Sequence, residues 1–150
     1  MPADSALVDT NVLIYALDPN SPYHADSRSL IERARRHDAG LCVTPQILAE
    51  FYSVVTDRRR VPHARQPAET LDAIELFLSL PGMTLLPTPV DIVARWMELA
   101  RRRPVAGPSI FDLQLVAAMP AYDLRTVYTY SRVDFEAFTE VTVRTPGGNE

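Results

Sequence analysis

The chain contains no lysine, a single cysteine and no long apolar segment, and each absence narrows the possible classes of protein. A lone thiol forms no internal disulfide, so Cys42 is interpreted as a small core residue in a reducing compartment. No apolar run approaches the roughly 20 residues of a membrane span, and Asp4 stands where a secretory signal carries positive charge. We therefore expect a cytoplasmic protein.

All fifteen basic residues are arginines, and the formal net charge is -4. This negative charge argues against a general electrostatic clamp on nucleic acid. Arginine binds phosphate or carboxylate through two parallel hydrogen bonds, although genome base composition produces the same arginine bias. The triplets at 58–60 and 101–103 are interpreted first as solvated helix ends, with RNA phosphate binding as the alternative.

A length of 150 residues predicts one domain, 1–150, with a loose tail at 146–150. Serine or threonine directly precedes proline at 21–22, 44–45 and 88–89, which predicts capped helix starts. Helices are predicted over 22–37, 45–57, 67–80, 89–102 and 108–119, and strands over 6–8, 41–44, 84–86, 127–129 and 141–143. This alternation predicts an α/β fold with a central parallel sheet between two layers of helices.

Two carboxylates lie in helical patterns on the side that should be dry. Glu50 shares a helix face with Ile47 and Val54, and the segment 109–119 is apolar apart from Asp112 and Gln114. An ionised carboxylate is costly to bury unless it is paired or bound to a metal. Both positions therefore demand a partner.

Two further acids stand where chain segments turn: Asp9 follows the strand 6–8, and Asp134 follows the strand 127–129. Polar sites in parallel sheets gather at the carboxyl ends of the strands, so all four acids can reach one cleft. Oxygen ligands suit hard divalent cations, and paired metal ions activate water for phosphodiester cleavage. Without a cation the four charges repel one another.

Each acid also has a purely structural explanation. Asp9 is a candidate N-cap for a helix over 12–17, and Glu50 is a candidate partner for an arginine. Asp112 and Asp134 suit the first turn of a helix, where the helix dipole favours an anion. The three histidines, His24, His37 and His63, show no metal-ligand spacing and are given no catalytic role.

Four short segments carry the same residues, in the same order, as one known family. They are Asp9-Thr10-Asn11-Val12-Leu13, Ala49-Glu50-Phe51, Phe111-Asp112 with Val116-Ala117-Ala118 after it, and Tyr128-Thr129-Tyr130 leading to Asp134-Phe135. Together they resemble the PIN domain, and more closely the VapC-type toxin ribonucleases, over residues 7–143. The resemblance implies a PIN-like three-layer α/β/α fold and an endoribonuclease toxin of a type II toxin–antitoxin pair. It also implies a Mg²⁺ or Mn²⁺ cofactor, an RNA substrate, a VapB-type antitoxin partner and a homodimer.

In this resemblance Asp9, Glu50, Asp112 and Asp134 are the catalytic metal-site acids, and Thr10, Asn11 and Ser131 are supporting residues. The chain departs from the family at Ser131, where asparagine or aspartate is frequent, which predicts weaker metal binding at that end of the site. It departs again at Pro120, which interrupts a helix that usually continues to a glycine turn, here occupied by Asp123. Proline removes a helical hydrogen bond, so we expect the helix to end or kink there.

Two other functions compete with RNA cleavage. A phosphatase of the haloacid-dehalogenase type also places an aspartate after its first strand, but it requires a second aspartate two residues later, where this chain has Asn11. A degenerate PIN scaffold that binds RNA or a protein partner without cleavage is the alternative that Ser131 leaves open.

Overall fold

A computed structural model describes residues 2–148, and in this range five parallel strands form one sheet. The strands are β1 Ala6–Val8, β2 Leu41–Val43, β3 Met83–Leu85, β4 Thr126–Tyr128 and β5 Thr142–Arg144, in the spatial order β3-β2-β1-β4-β5. The central strand β1 pairs Ala6 with Leu41 on one side and with Thr126 on the other. β1 and β2 are buried along their whole length, as expected for a sheet covered on both faces.

Helices connect every pair of successive strands. They are α1 Thr10–Ala16, α2 His24–Arg35, α3 Pro45–Val55, α4 Pro67–Ser79, α5 Ile92–Arg102, α6 Ser109–Ala118 and α7 Arg132–Glu136. From β1 to β3 the chain steps in one direction, and from β3 to β5 it steps in the other. Right-handed crossovers therefore place α1 to α4 on one face and α5 to α7 on the opposite face. The predicted α/β/α architecture is confirmed.

The serine/threonine–proline pairs differ in what they do. Thr44 caps α3 as predicted: its hydroxyl accepts a hydrogen bond from the Ile47 N–H at 3.3 Å, and Pro45 is the first helical residue. The prediction is wrong for the other two pairs. The Ser21 hydroxyl accepts from the Tyr23 N–H in a local turn, so α2 begins only after that turn. The third pair precedes another turn, which delays the start of α5 to Ile92.

The helix α6 ends where its sequence predicts. A short 3₁₀ helix, Met119–Tyr122, follows it and contains Pro120. Asp123 then adopts a left-handed backbone conformation, with φ at 56°. This conformation favours glycine, and aspartate is among the few other residues that tolerate it. Asp123 thus performs the turn for which the resembling family uses glycine.

The core and the chain end add two observations. Cys42 in β2 is 1% exposed and belongs to the apolar core, as predicted.

The predicted loose tail falls partly outside the described residues, because it includes 149 and 150. Of its described part, Pro146 is buried and the Gly148 N–H donates to the Thr145 carbonyl. Within residues 2–148, no helix is both long enough and apolar enough to cross a membrane.

Candidate active site

The candidate site lies beside β1, where the order in which the chain adds strands to the sheet reverses. The chain runs from β1 outward through β2 and β3, then returns to β4 on the other side of β1. Loops that leave β1 and β4 therefore diverge and open a cleft at the carboxyl ends of these strands. Asp9 directly follows β1 and Thr129 directly follows β4. Their side chains meet there, because the Thr129 hydroxyl donates to Asp9 Oδ2 at 2.8 Å.

Asp9 is both a helix cap and a member of the acidic cluster. Its Oδ1 accepts a hydrogen bond from the Thr10 N–H at 2.8 Å, which makes Asp9 the N-cap of α1. Only 7% of the residue is exposed. Burial raises the pKa of Asp9, hydrogen bonds from Thr129 and Thr10 lower it, and the charges of Glu50 and Asp134 raise it further. The structural explanation of Asp9 as an N-cap is therefore confirmed, and its role as a metal-site acid stays a prediction.

Glu50 reaches the same cluster from α3, and uncharged donors hold it. The Thr10 hydroxyl lies 3.2 Å from Glu50 Oε2, and the Gln46 side-chain amide donates to Oε1 at 3.1 Å. The Thr10 hydroxyl is equally close to the Ile47 carbonyl, so its one hydrogen serves two acceptors in turn. The structural alternative, an arginine partner for Glu50, is wrong for residues 2–148, where no ion pair includes Glu50.

Gln46 also joins the two helical layers. Its amide donates to the Phe111 carbonyl at 3.0 Å, and its carbonyl oxygen accepts from the Gln114 amide at 2.7 Å. These bonds connect α3 to α6, the helix that carries Asp112. The bonded residues, Phe111 and Gln114, lie on either side of Asp112 in the sequence of that helix.

Asp112 and Asp134 occupy the first turns of α6 and α7, as the helix-start interpretation predicts. Both line one cleft with a volume of about 380 Å³. Burial raises the pKa of Asp112 to about 7, and the charges of Asp9, Asp134 and Glu50 contribute to the rise. Asp134 is the most exposed of the four acids. The electrostatic coupling links all four carboxylates in one cluster.

The predicted supporting residues form a polar network beside Asp9. The Asn11 amide donates to Ser131 Oγ at 3.0 Å, and its carbonyl oxygen accepts from the Tyr130 N–H at 3.2 Å. The Ser131 N–H in turn donates to the Thr129 hydroxyl at 2.9 Å. Ser131 therefore shapes the loop after β4, and it reaches Asp9 only through Thr129.

Sequence reasoning missed the functional setting of Thr129 and Gln46. Thr129 was expected as the last residue of a strand and as part of the resembling motif, without a role of its own, yet it is fully buried and its hydroxyl donates to Asp9. A hydroxyl at the carboxyl end of a central strand was the available signal. Gln46 offered none, because its contact with Phe111 joins positions 65 residues apart.

The donor set suits a hard divalent cation. Four carboxylates supply only oxygen ligands, and no arginine among residues 2–148 forms an ion pair with any of them. No three acidic, histidine or cysteine side chains of the described residues meet the geometry of a complete metal-ligand set. Magnesium-type sites need only one or two carboxylates, completed by water and substrate phosphate. The arrangement fits this incomplete type of site.

Comparison with known proteins agrees with the fold. Residues 6–138 match the PIN domain family. The VapC ribonuclease Mb2897 of Mycobacterium bovis is 33% identical over 142 residues, which cover 93% of each chain. The chain therefore belongs to the PIN-domain family, and its resemblance to the VapC ribonucleases within that family is confirmed.

Two solved structures share the fold at low sequence identity. VapC20 of Mycobacterium tuberculosis, described as a sarcin-ricin loop cleaving toxin, aligns with a TM-score of 0.65 and 16% identity, covering 91% of this chain and 98% of that one. VapBC2 of Rickettsia felis, bound to a DNA fragment from its promoter, gives a TM-score of 0.65 and 15% identity, covering 94% and 98%.

The crowding of charge predicts an unusual effect of Asp112→Asn. The pKa of Asp112 lies near 7 in the folded protein and about 4 in the unfolded chain, so the metal-free wild type loses stability as pH rises through this window. At pH 8 the metal-free variant should have a melting temperature equal to or higher than that of the wild type. Near pH 4 the two melting temperatures should not differ. Thermal melts in excess chelator measure this.

Asp72→Asn, which changes an exposed acid of α4, serves as the control and should show no such pH-dependent gain. A variant of Asp112 that is clearly destabilised at pH 8 would instead identify this carboxylate as a structural helix-start charge.

Proposed function

We propose that this protein is a divalent-metal-dependent endoribonuclease that hydrolyses RNA phosphodiester bonds in the cytoplasm, as the toxin of a type II toxin–antitoxin pair. Asp112 and Asp134 line one cleft, and the charges of Asp9 and Glu50 also act on Asp112; this cluster of four acids carries the proposal. The naming of its 33% identical relative as a VapC ribonuclease supports it. The four acids hold Mg²⁺ or Mn²⁺ in this proposal. When bound, such an ion activates water and stabilises the leaving oxygen.

The chain's own residues prepare the site for that chemistry. Thr129 and the Thr10 N–H aim the two oxygens of Asp9, and Thr10 and Gln46 aim those of Glu50. Donors of this kind fix the orientation of metal-binding carboxylates before a cation arrives. A cation also favours the ionised form of Asp112, so its binding near neutral pH releases a proton.

The substrate is an anion that approaches an acidic cleft. Repulsion by four carboxylates opposes RNA binding until a cation offsets their charge. In the hydrolysis a water oxygen forms a bond to phosphorus, the ester bond to the leaving oxygen breaks, and the leaving oxygen takes up a proton. The acids therefore make cleavage depend on the ion, which keeps the metal-free protein inactive.

Neither competing function has equal support. A phosphatase of the haloacid-dehalogenase type needs its second aspartate where this chain has Asn11. The Asn11 side chain instead forms hydrogen bonds with Ser131 and with the Tyr130 N–H. A scaffold that does not cleave remains a distinct outcome of the experiment below. Ser131 is the reason to test for such a scaffold, because its hydroxyl accepts a hydrogen bond from Asn11 and replaces an asparagine or aspartate that is frequent in the family.

Replacing Asp9 with asparagine tests the proposal. We expect wild-type protein with Mn²⁺ or Mg²⁺ to cleave single-stranded RNA. We expect Asp9→Asn to lose on the order of 100-fold or more, because changing even the residues behind metal ligands costs about 10- to 100-fold. Excess chelator should abolish wild-type cleavage, and Asp72→Asn should retain it. Initial rates on an end-labelled RNA measure each protein.

Cleavage that survives chelator, with Asp9→Asn still active, contradicts the metal mechanism. RNA binding by the wild type without any cleavage identifies the non-cleaving scaffold.

We further propose a VapB-type antitoxin partner and a homodimeric state. The Rickettsia felis neighbour is a VapBC complex, which supports the partner. An arginine of the antitoxin suits the acidic cleft, because a guanidinium pairs with a carboxylate through two hydrogen bonds. Exposed apolar side chains on α5, among them Val93 and Met97, support a subunit interface.

Co-expression with a small reading frame adjacent in the genome tests the partner. We expect a stable complex with suppressed cleavage, and light scattering of the free protein at twice the chain mass. Asp112→Asn should dissociate from the antitoxin faster than Asp72→Asn, because it removes one carboxylate from the cleft. Failure of any such neighbour to co-purify favours a stand-alone RNA-processing nuclease.

A further inference from the structure

The cleft that holds Asp112 and Asp134 also has a cationic wall. Three consecutive arginines, Arg101 to Arg103, stand at the carboxyl end of α5. Arg102 and Arg103 line the cleft, with Ser109 beside Asp112, whereas Arg101 is exposed and does not line it. Two of these arginines therefore line the same cleft as Asp112 and Asp134, and neither forms an ion pair with these acids.

Arg103 already has partners. Its guanidinium donates to the Thr139 hydroxyl at 3.0 Å and lies 3.7 Å from Glu140 Oε2. These contacts fasten the end of α5 to the segment between α7 and β5. The charge of Arg103 is thus used within the fold, which leaves Arg102 as the other cation of the cleft wall.

Arg102 is exposed and forms no ion pair with any residue between 2 and 148. The guanidinium therefore stands at the cleft uncommitted to protein anions.

We infer that Arg102 binds a backbone phosphate of the RNA, next to the bond that is cut. This inference rests on the proposed ribonuclease function. A guanidinium matches two non-bridging phosphate oxygens with two parallel N–H donors, an arrangement that lysine does not provide. The cleft volume of about 380 Å³ lies within the range of roughly 300–1,000 Å³ that holds small ligands. Arg102 then supplies the local positive charge that the overall charge of -4 does not.

The alternative explanation is that Arg102 only complements the helix dipole. Arg101 and Arg102 both lie in the last turn of α5, so both gain from the negative end of the dipole. They differ in that only Arg102 lines the cleft. Arg101→Gln is therefore a matched control, because it removes the same charge from the same helix end outside the site.

Steady-state cleavage of a labelled single-stranded RNA with Mn²⁺ tests the inference. We expect Arg102→Gln to raise KM about tenfold, the order of one lost hydrogen bond to a charged group, with a smaller change in kcat. The KM of Arg102→Lys should lie between those of the wild type and Arg102→Gln, because lysine keeps the charge but cannot form two parallel hydrogen bonds. Arg101→Gln should change KM by less than about twofold, because exposed charges outside a site contribute little.

A salt titration gives a second readout. Each phosphate contact contributes about 0.7 to the slope of log affinity against log salt for single strands, so Arg102→Gln should lose about that amount and Arg101→Gln should lose none. Equal effects of the two variants on KM and on the salt slope overturn the inference, while wild-type cleavage leaves the proposed function intact.

If wild-type protein does not cleave RNA, the proposed function fails separately. Fluorescence anisotropy with the same RNA then decides the role of Arg102, from the ratio of dissociation constants of the two variants. A ratio near ten retains the phosphate contact, and a ratio near one refutes it. Thermal melts of both variants should agree, since each loses the same dipole interaction.

Discussion

Mutual repulsion among four carboxylates is the physical interaction that governs the candidate site. Asp9, Glu50, Asp112 and Asp134 come from four different elements, and no arginine of residues 2–148 forms an ion pair with them. Burial raises the pKa of Asp112 to about 7, and repulsion by the other three acids adds to the rise. Only a rigid scaffold holds like charges together, and sites that do so commonly trade stability for function. The crowding explains why the surrounding polar side chains are so fully engaged.

Thr10 forms hydrogen bonds with two of these acids. Its N–H binds Asp9 and its hydroxyl approaches Glu50, so the first residue of α1 links β1 to α3. Thr129 secures the other oxygen of Asp9 from β4, and Gln46 extends the network to α6. Every hydrogen bond in this network around Asp9 and Glu50 is donated by an uncharged group. Such donors orient carboxylates without neutralising them, which preserves the negative charge that a cation requires.

Much of the architecture could be predicted from local pattern, because strand and helix periodicities are local properties. All five strands were placed within one residue of their observed bounds, and the break at Pro120 followed from the chemistry of proline. The starts of α2 and α5 were misplaced, because a Ser-Pro or Thr-Pro pair serves a local turn as readily as a helix cap. Glu50 and Asp112 were recognisable as polar residues in apolar patterns, and Asp9 and Asp134 were recognisable because each follows a strand. The hydrogen bonds by which Thr129 and Gln46 hold the site were not predicted, since these contacts span distant parts of the chain.

The binding of Mn²⁺ to the metal-free protein tests the central claim most directly. Titration calorimetry near pH 7, repeated in buffers of different ionisation enthalpy, counts both bound ions and released protons. We expect Mn²⁺ to bind the wild type with proton release, because a cation favours ionised Asp112. We also expect weakened binding in Asp9→Asn and loss of the released proton in Asp112→Asn. Absence of Mn²⁺ binding, or binding that none of the four acids affects, would contradict the claim that these carboxylates form one cation site.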